Sequence, residues 1–311
     1  MKAVLPALAR PLLEPHLPDD LDVAWFETPD EAKEAVVDAD IAWVDQQRSR
    51  VAGEIAARGE RLKWLFSMFA GLDAFPLEHL RARGVTVTNG TGLNAVTVAE
   101  YAVMGMLVAA KRFDEVVRVA DRHEWTIHPP GRLELDGSSA LILGYGTIGR
   151  LIGDRLAAFG VAVTGVTRSG RDGTLTPDQW HARLDTFDWL VLAAPSTGET
   201  RAMIGADELA AMKRSAWLIN IARGDMVDKA ALIDALEKRR IAGAFLDTVD
   251  PEPLPADDPL WRAPNAIHSM HLAGRSQTSM FQRAAALFLD NLAAFREGRP
   301  MRNTVDLGAG Y

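Results

Sequence analysis

Apolar residues come along this chain in short runs, separated by stretches with helical spacing. In the N-terminal third the runs are Ala3–Leu5, Val23–Phe26, Ile41–Val44, Trp64–Met68 and Val85–Thr88. Runs this short and this apolar fit strands buried on both faces. Between them, Thr28-Pro29-Asp30-Glu31 has the makings of a helix start: Thr28 as cap, Pro29 in the first turn, Glu31 completing a capping box. A second series begins near Ser138, with runs at Ala140–Leu143, Val161–Val166, Trp189–Ala193, Trp217–Ile221, Ala242–Leu246 and Ile267–Ser269. Strand–helix alternation in both halves predicts an α/β fold with mainly parallel sheets. Ser276 to Arg296 has helical spacing and stops at Gly298-Arg299-Pro300.

Two segments break the alternation. Asn94 to Arg112 is too apolar for a solvated helix and is expected to be buried between domains or between subunits. Asp121–Arg132 is polar and contains prolines, and reads as a connection into the second series.

Length and charge narrow the possibilities. A chain of 311 residues exceeds the size at which one core stops growing, so two domains are expected. The net charge of −8 disfavours nucleic acid and anionic membranes as partners, and an anionic substrate would need local positive charge. The absence of cysteine excludes disulfides, thiolate metal sites and a cysteine nucleophile. Pro6, Arg10 and Pro11 interrupt the opening segment, which lacks the apolar core of a signal peptide, and no window is apolar enough to span a membrane. The expectation is a cytoplasmic protein.

The run Ala140–Leu143 leads into Gly144-Tyr145-Gly146-Thr147-Ile148-Gly149, the pattern G-x-G-x-x-G, followed by an expected helix over Arg150–Phe159 that ends at Gly160. Gly144 permits the tight turn, Gly146 lets a pyrophosphate approach the backbone, and Gly149 lets helix pack on strand. The helix N-terminus then offers N–H groups to phosphates. Alone the pattern is weak; with a strand before it and a helix and strand after it, it points to dinucleotide binding. At the end of the next strand an NAD site usually carries an acid. Here Thr167 stands in that place, followed by Arg168 and Ser169, which suits a 2′-phosphate and favours NADP(H) over NAD(H). The bland reading is a solvated loop.

Three polar elements follow, each at the end of an expected strand: Asn220-Ile221-Ala222-Arg223-Gly224, Asp247 through Pro253, and Pro264 through Gly274. In doubly wound sheets ligands sit at those strand ends. With Ala70-Gly71-Leu72-Asp73, Val98-Ala99-Glu100, the glycine pattern and Pro195-Ser196-Thr197, in this order, the chain resembles the D-isomer-specific 2-hydroxyacid dehydrogenase family over most of its length. Thr167-Arg168-Ser169 and the ending Arg299-Pro300-Met301-Arg302 are similar to its glyoxylate/hydroxypyruvate reductase branch.

The resemblance implies two Rossmann-like/flavodoxin-like domains with a cleft between them: a discontinuous substrate domain, 1–95 with 278–311, and a dinucleotide domain, 96–277. It implies reduction of a small 2-oxo acid to the D-2-hydroxy acid. Arg223 would bind the substrate, His271 would protonate the carbonyl oxygen, and Glu252 would hold His271. The backbone of Ala70 and Gly71 would take the substrate carboxylate. Asp247 would meet the nicotinamide, and Pro195, Ser196, Ala222 and Gly274 would line the cofactor cleft. In relatives the long apolar helix packs across a two-fold dimer, so a homodimer is expected. No metal is expected.

Read alone, an Arg, Glu or His of this kind is an ordinary surface or capping residue; three in this order change that reading. His268 is the rival proton donor, and the family register, Pro264-Asn265 with the histidine six residues after Asn265, favours His271. His123, His128 and His181 lie in polar connections. The family often has Pro before the catalytic histidine, where this chain has Met270. The competing functions are a non-enzymatic dinucleotide sensor on the same scaffold, a formate-type dehydrogenase, which carries Gln where this chain has Glu252, and a hydrolase, for which no metal cluster or nucleophile–base pair is found.

Overall fold

Strand β1 (Lys2–Pro6) pairs with β2 (Asp22–Phe26) on one side and β3 (Ile41–Trp43) on the other, and β4 (Trp64–Phe66) and β5 (Thr86–Thr88) extend the sheet. The order is β2-β1-β3-β4-β5, all parallel. This is the flavodoxin-like order. Parallel neighbours need crossovers, and the helices Arg10–Leu13, Pro29–Ala35, Ser49–Arg58 and Leu77–Ala82 lie in them. The capping box at the start of Pro29–Ala35 is present: the Glu31 N–H donates to Thr28 and the Glu31 carboxylate accepts from the Thr28 N–H. The structure, a computed structural model, describes residues 1–45, 49–72, 74–275 and 277–308, with the side chains of Ser49 and Arg50 excepted.

Strands β1, β3, β4 and β5 are buried on both faces, and alternate residues feed different cores. Val4, Ala42, Leu65 and Val87 face one core; Leu5, Ile41, Trp43, Trp64 and Phe66 face the other. The second core is closed by the helix Met280–Arg296, whose Phe288 stacks on Trp64 with ring centroids 5.0 Å apart. That helix starts at Met280 rather than near Ser276, which lies outside the described residues.

The second sheet contains β6 (Ser139–Leu143), β7 (Ala162–Val166), β8 (Trp189–Leu192), β9 (Trp217–Asn220), β10 (Gly243–Leu246) and β11 (Ala266–His268). Its order is β11-β10-β9-β8-β6-β7, again all parallel. A single bridge from Val166 to Leu175 carries the sheet one pairing beyond β7. The order reverses between β6 and β8, the position where such sheets open to ligands. Residues Met1–Asn94 with Gln277–Tyr311 form one compact unit, and Ala95–Ser276 form the other.

The apolar helix runs Ala95–Lys111 and buries much of itself in its own unit, against β9, β10 and the helix Thr147–Ala158. Gly105 meets Phe245 so closely that a Cβ would lie 2.6 Å from the ring. The chain then breaks at Arg112, in the left-handed region at φ 49°, and a further helix, Phe113–Asp121, follows. The Arg112 guanidinium anchors that corner through Asp114 and Asn265. Periodicity did not reveal the break, because one residue carries it. No helix among the described residues is long and apolar enough to cross a membrane.

Candidate active site

The glycine turn follows β6 at the point of reversal. Gly144 has φ 95°, and a Cβ there would fall 2.4 Å from the Ala194 nitrogen. Only glycine tolerates both conditions. A Cβ on Gly149 would lie 2.3 Å from the Gly144 carbonyl oxygen, so Gly149 seats the helix on the turn. Gly146 faces open space: a Cβ would meet nothing within 4 Å. The helix begins at Thr147, earlier than Arg150, because Gly146 itself is the extended N-cap and brings no side-chain cap. The first N–H groups therefore remain available to an anion. The Tyr145 ring packs onto Gly153 and Gly165, which leaves the backbone of Tyr145 at the turn. Ile148 is partly buried against the core beneath.

At the end of β7 the Thr167 hydroxyl is engaged within its own loop, 2.7 Å from the Thr174 hydroxyl and accepting from the Gly170 N–H at 3.1 Å. Arg168 and Ser169 are exposed at the loop tip. Ser196, in the segment after β8, donates to Asp225 at 2.8 Å, and Pro195 beside it is exposed.

The next three strand ends carry Arg223, Glu252 and His271. After β9 the buried Asn220 clamps its own turn: its amide donates to the Arg223 carbonyl at 2.9 Å and its oxygen accepts from the buried Ala222 N–H at 3.0 Å. Gly224 lies flat on the segment after β10, where a Cβ would be 2.0 Å from the Val249 carbonyl carbon. This close approach brings the Arg223 and Glu252 loops together. His271 Nδ1 is 2.7 Å from Glu252 Oε2. Burial pushes the Glu252 carboxyl up, but His271, the Val249 N–H and the charge of Arg223 outweigh it and hold the group below its ordinary value.

Asp247 anchors the turn that carries His271. Its Oδ1 accepts from the Ser269 hydroxyl at 2.8 Å and the Leu272 N–H at 3.0 Å, and its carboxylate takes the Ala273 N–H at 3.3 Å. Its carbonyl accepts the His271 N–H. Burial raises the Asp247 carboxyl above its ordinary value, and these donors oppose the rise. Met270 and His271 both sit in the left-handed region, at φ 56° and 55°. Such conformations are uncommon for bulky residues and persist where surrounding bonds over-determine them. Gly274, partly buried, ends the turn.

The sequence of this unit matches the model of the "D-isomer specific 2-hydroxyacid dehydrogenase, NAD binding domain" over residues 103–273. The chain is 32% identical over 306 residues to the glyoxylate reductase of Korarchaeum cryptofilum, covering 94% of this chain and 91% of that protein. It is 33% identical over 311 residues to the glycerate dehydrogenase of Methylorubrum extorquens, covering 97% and 96%. The chain belongs to the D-isomer specific 2-hydroxyacid dehydrogenase family. Among solved structures, that of the NADPH-dependent glyoxylate/hydroxypyruvate reductase from Sinorhizobium meliloti in complex with NADP and malonate superposes with a TM-score of 0.80 at 26% identity, covering 99% of this chain and 97% of that one. The protein is thus a nicotinamide-dinucleotide-dependent 2-hydroxyacid dehydrogenase.

Within the dehydrogenase, His268 has a different setting from His271. Its Nε2 is 3.2 Å from the Leu260 carbonyl, and burial lowers its pKa against the opposing pull of that carbonyl and Asp258. Met270 stands in the left-handed region, a conformation closed to proline, whose ring locks φ near about −65°. Ala70 and Gly71 belong to the other unit, after β4, with Ala70 exposed and Gly71 half-buried; Asp73 of the same motif lies outside the described residues. Sequence reasoning missed Asn220, Ser269 and Asp247's hold on the turn. Their signal was a polar residue at the end of an apolar strand, which must find partners when buried.

Proposed function

We propose that this dehydrogenase reduces a small 2-oxo acid of the glyoxylate or hydroxypyruvate type to its D-2-hydroxy acid, preferring NADPH. The observation that carries the reading is the 2.7 Å contact between His271 Nδ1 and Glu252 Oε2, beside the charge of Arg223. When bound, the dinucleotide supplies the hydride. Glu252 holds the imidazole through Nδ1 and favours its protonated form, leaving Nε2 to give a proton to the carbonyl oxygen. Arg223 and the backbone N–H groups of Ala70 and Gly71 bind the substrate carboxylate.

For the dinucleotide, the residues present fit: the open Gly146 position, the uncapped helix N-terminus at Thr147–Ile148 and the close-packed Gly144 and Gly149 make a cradle that a Cβ would fill or distort. The lack of an acid at Thr167, with Arg168 and Ser169 exposed beside it, supports NADPH. Pro195, Ser196, Ala222, Asp247 and Gly274 line the nicotinamide side. Units 1–95 with 278–311 and 96–277 are read as the substrate and dinucleotide domains. The protein works in the cytoplasm as a homodimer, through the outer face of the apolar helix. That face keeps Val96 and Met104 exposed and borders an open groove of ≈ 460 Å³ lined by Val103, Met104, Leu107, Val108, Phe113 and Phe159 together with the charged Glu100, Lys111 and Arg155.

The test is NADPH oxidation with glyoxylate and with hydroxypyruvate. Turnover of either supports the reading. Tight NADPH binding with no turnover of any 2-oxo acid would establish the sensor instead.

A further inference from the structure

The backbone N–H groups of Ala70 and Gly71 are held open by a set of bonds that begins at Asp45, just after β3. Asp45 Oδ1 accepts from the Ser67 hydroxyl at 2.7 Å; Oδ2 accepts from Trp43 Nε1 at 2.9 Å and from the Met68 N–H at 2.5 Å. The Ser67 hydroxyl oxygen in turn accepts from the Phe69 N–H at 3.2 Å. From the β5 side, the Gly90 N–H donates to the Phe69 carbonyl at 3.0 Å, and the Asn89 amide donates to the Ala70 carbonyl at 2.8 Å. Gly90 is obligatory in this contact, since a Cβ would fall 1.9 Å from the Met68 carbonyl oxygen. The segment after β4 is therefore tied through its early N–H groups to Asp45 and through its later carbonyls to Asn89 and Gly90. Among the described residues, the N–H groups of Ala70 and Gly71 donate to no protein acceptor.

A carboxylate is a costly way to fill this place. Burial pushes the Asp45 carboxyl up to about 6, against the pull of the three donors. An aliphatic side chain would avoid that cost, but would leave the Trp43, Ser67 and Met68 donors without an acceptor. We infer that Asp45 is a positioning residue for substrate recognition: through Ser67 and the Met68 N–H it fixes the Ala70–Gly71 backbone, and so sets the affinity for the substrate carboxylate. The inference rests on the reading of Ala70 and Gly71 as substrate ligands given above. Asp45 touches no reacting atom and takes no part in the hydride or proton transfer.

The full-length protein with Asp45→Ala, Asp45→Asn and Ser67→Ala tests this through steady-state kinetics with NADPH and glyoxylate and through amide hydrogen exchange over residues 67–71. Leaving the Trp43, Ser67 and Met68 donors without their acceptor should raise the glyoxylate KM of Asp45→Ala by about tenfold or more, with kcat and the NADPH KM near wild type. Exchange over 67–71 should quicken in parallel. Asp45→Asn keeps an acceptor for Trp43 and Met68, and its amide can donate to a turned Ser67 hydroxyl, so it should restore both readouts. Ser67→Ala removes one tie alone and should give a smaller KM rise, which keeps the idea testable if Asp45→Ala does not fold. Unchanged exchange in the folded Ala variants overturns the clamp itself. Faster exchange with an unchanged KM overturns the inference through the reading of Ala70 and Gly71 as ligands. An Asn variant as impaired as Ala shows that charge, not the bond geometry, matters, and also overturns it.

Discussion

His271 Nδ1 and Glu252 Oε2 meet at 2.7 Å, while the Val249 N–H donates to the other Glu252 oxygen at 3.2 Å. The carboxylate is thus fixed on one side by backbone and on the other by the imidazole. Because Glu252 titrates below its ordinary 4.5, it stays charged across the near-neutral range in which an imidazole changes charge. Reduction needs the protonated imidazole, so the rate should fall on the high-pH side only. Glu252→Gln keeps a hydrogen-bond acceptor but loses the charge that favours the protonated form, and should move this limit to lower pH. His271→Ala should lower kcat/KM by ~10²–10⁴-fold, with NADPH binding nearly intact. Profiles of kcat/KM against pH check both; an unshifted limit in Glu252→Gln, or an active His271→Ala with His268→Ala inactive, would falsify the assignment of the proton donor.

Cofactor choice rests on the loop tip after β7. Arg168→Ala should weaken NADPH use by on the order of 1.5–3 kcal/mol, the worth of a hydrogen bond to a charged group, and leave NADH use near wild type. The two KM values in wild type and variant decide it. A wild type that prefers NADH, or equal losses with both cofactors, defeats the idea.

Gly224→Ala should misplace Arg223. The new Cβ would stand 2.0 Å from the Val249 carbonyl carbon and 2.5 Å from the Asp250 nitrogen, and a backbone peptide leaves little room to yield. Overpacking of this kind costs about 1–3 kcal/mol, and glyoxylate kcat/KM should fall with it. Gly198→Ala, where nothing lies within 4 Å, should change stability by less than about 0.5 kcal/mol. Urea denaturation with kinetics compares the two; equal effects mean the contact does not matter.

Thr248 is buried at 1% exposure, and its hydroxyl has no hydrogen-bond partner among the described residues. Thr248→Val replaces the hydroxyl with a methyl of similar shape, so stability should rise by about 1 kcal/mol as an unmet polar group disappears. Urea midpoints measure this. A loss of stability of similar size would mean that the hydroxyl has a partner in solution.

Self-association can be read from mass. Besides the groove along Ala95–Lys111, Trp125 and Ile127 are 94% and 81% exposed, an unusual amount of apolar surface for a lone chain. Light scattering at micromolar concentration should give twice the chain mass, and Met104→Asp should shift the balance toward monomer. A wild-type monomer refutes the dimer.

The sheets were legible because runs such as Leu141-Ile142-Leu143 or Trp217-Leu218-Ile219 are short, apolar and bounded by polar or turn residues, which fits strands covered on both faces. The glycine turn was legible because two of its demands are local: the left-handed φ of Gly144, and the close approach of Gly149 to the Gly144 carbonyl oxygen. The break at Arg112 was hidden, since it depends on a long-range partner, Asn265. So was the work of Asn220, whose bonds form only once the β9 end is built.

By itself the sequence determined which residues lie at strand ends, which turns need glycine, and that an acid is missing at Thr167. Those are properties of one residue and its near neighbours. Only the tertiary structure decided that Asp247 ties down the turn bearing His271, that His268 faces a carbonyl while His271 faces a carboxylate, and that Asp45 bonds a loop more than twenty residues away. Apart from the His268 contact, whose carbonyl partner Leu260 is eight residues back, each pairs residues 19 to 25 positions apart. Their partnership follows from strand order and register, which spacing along one chain does not encode.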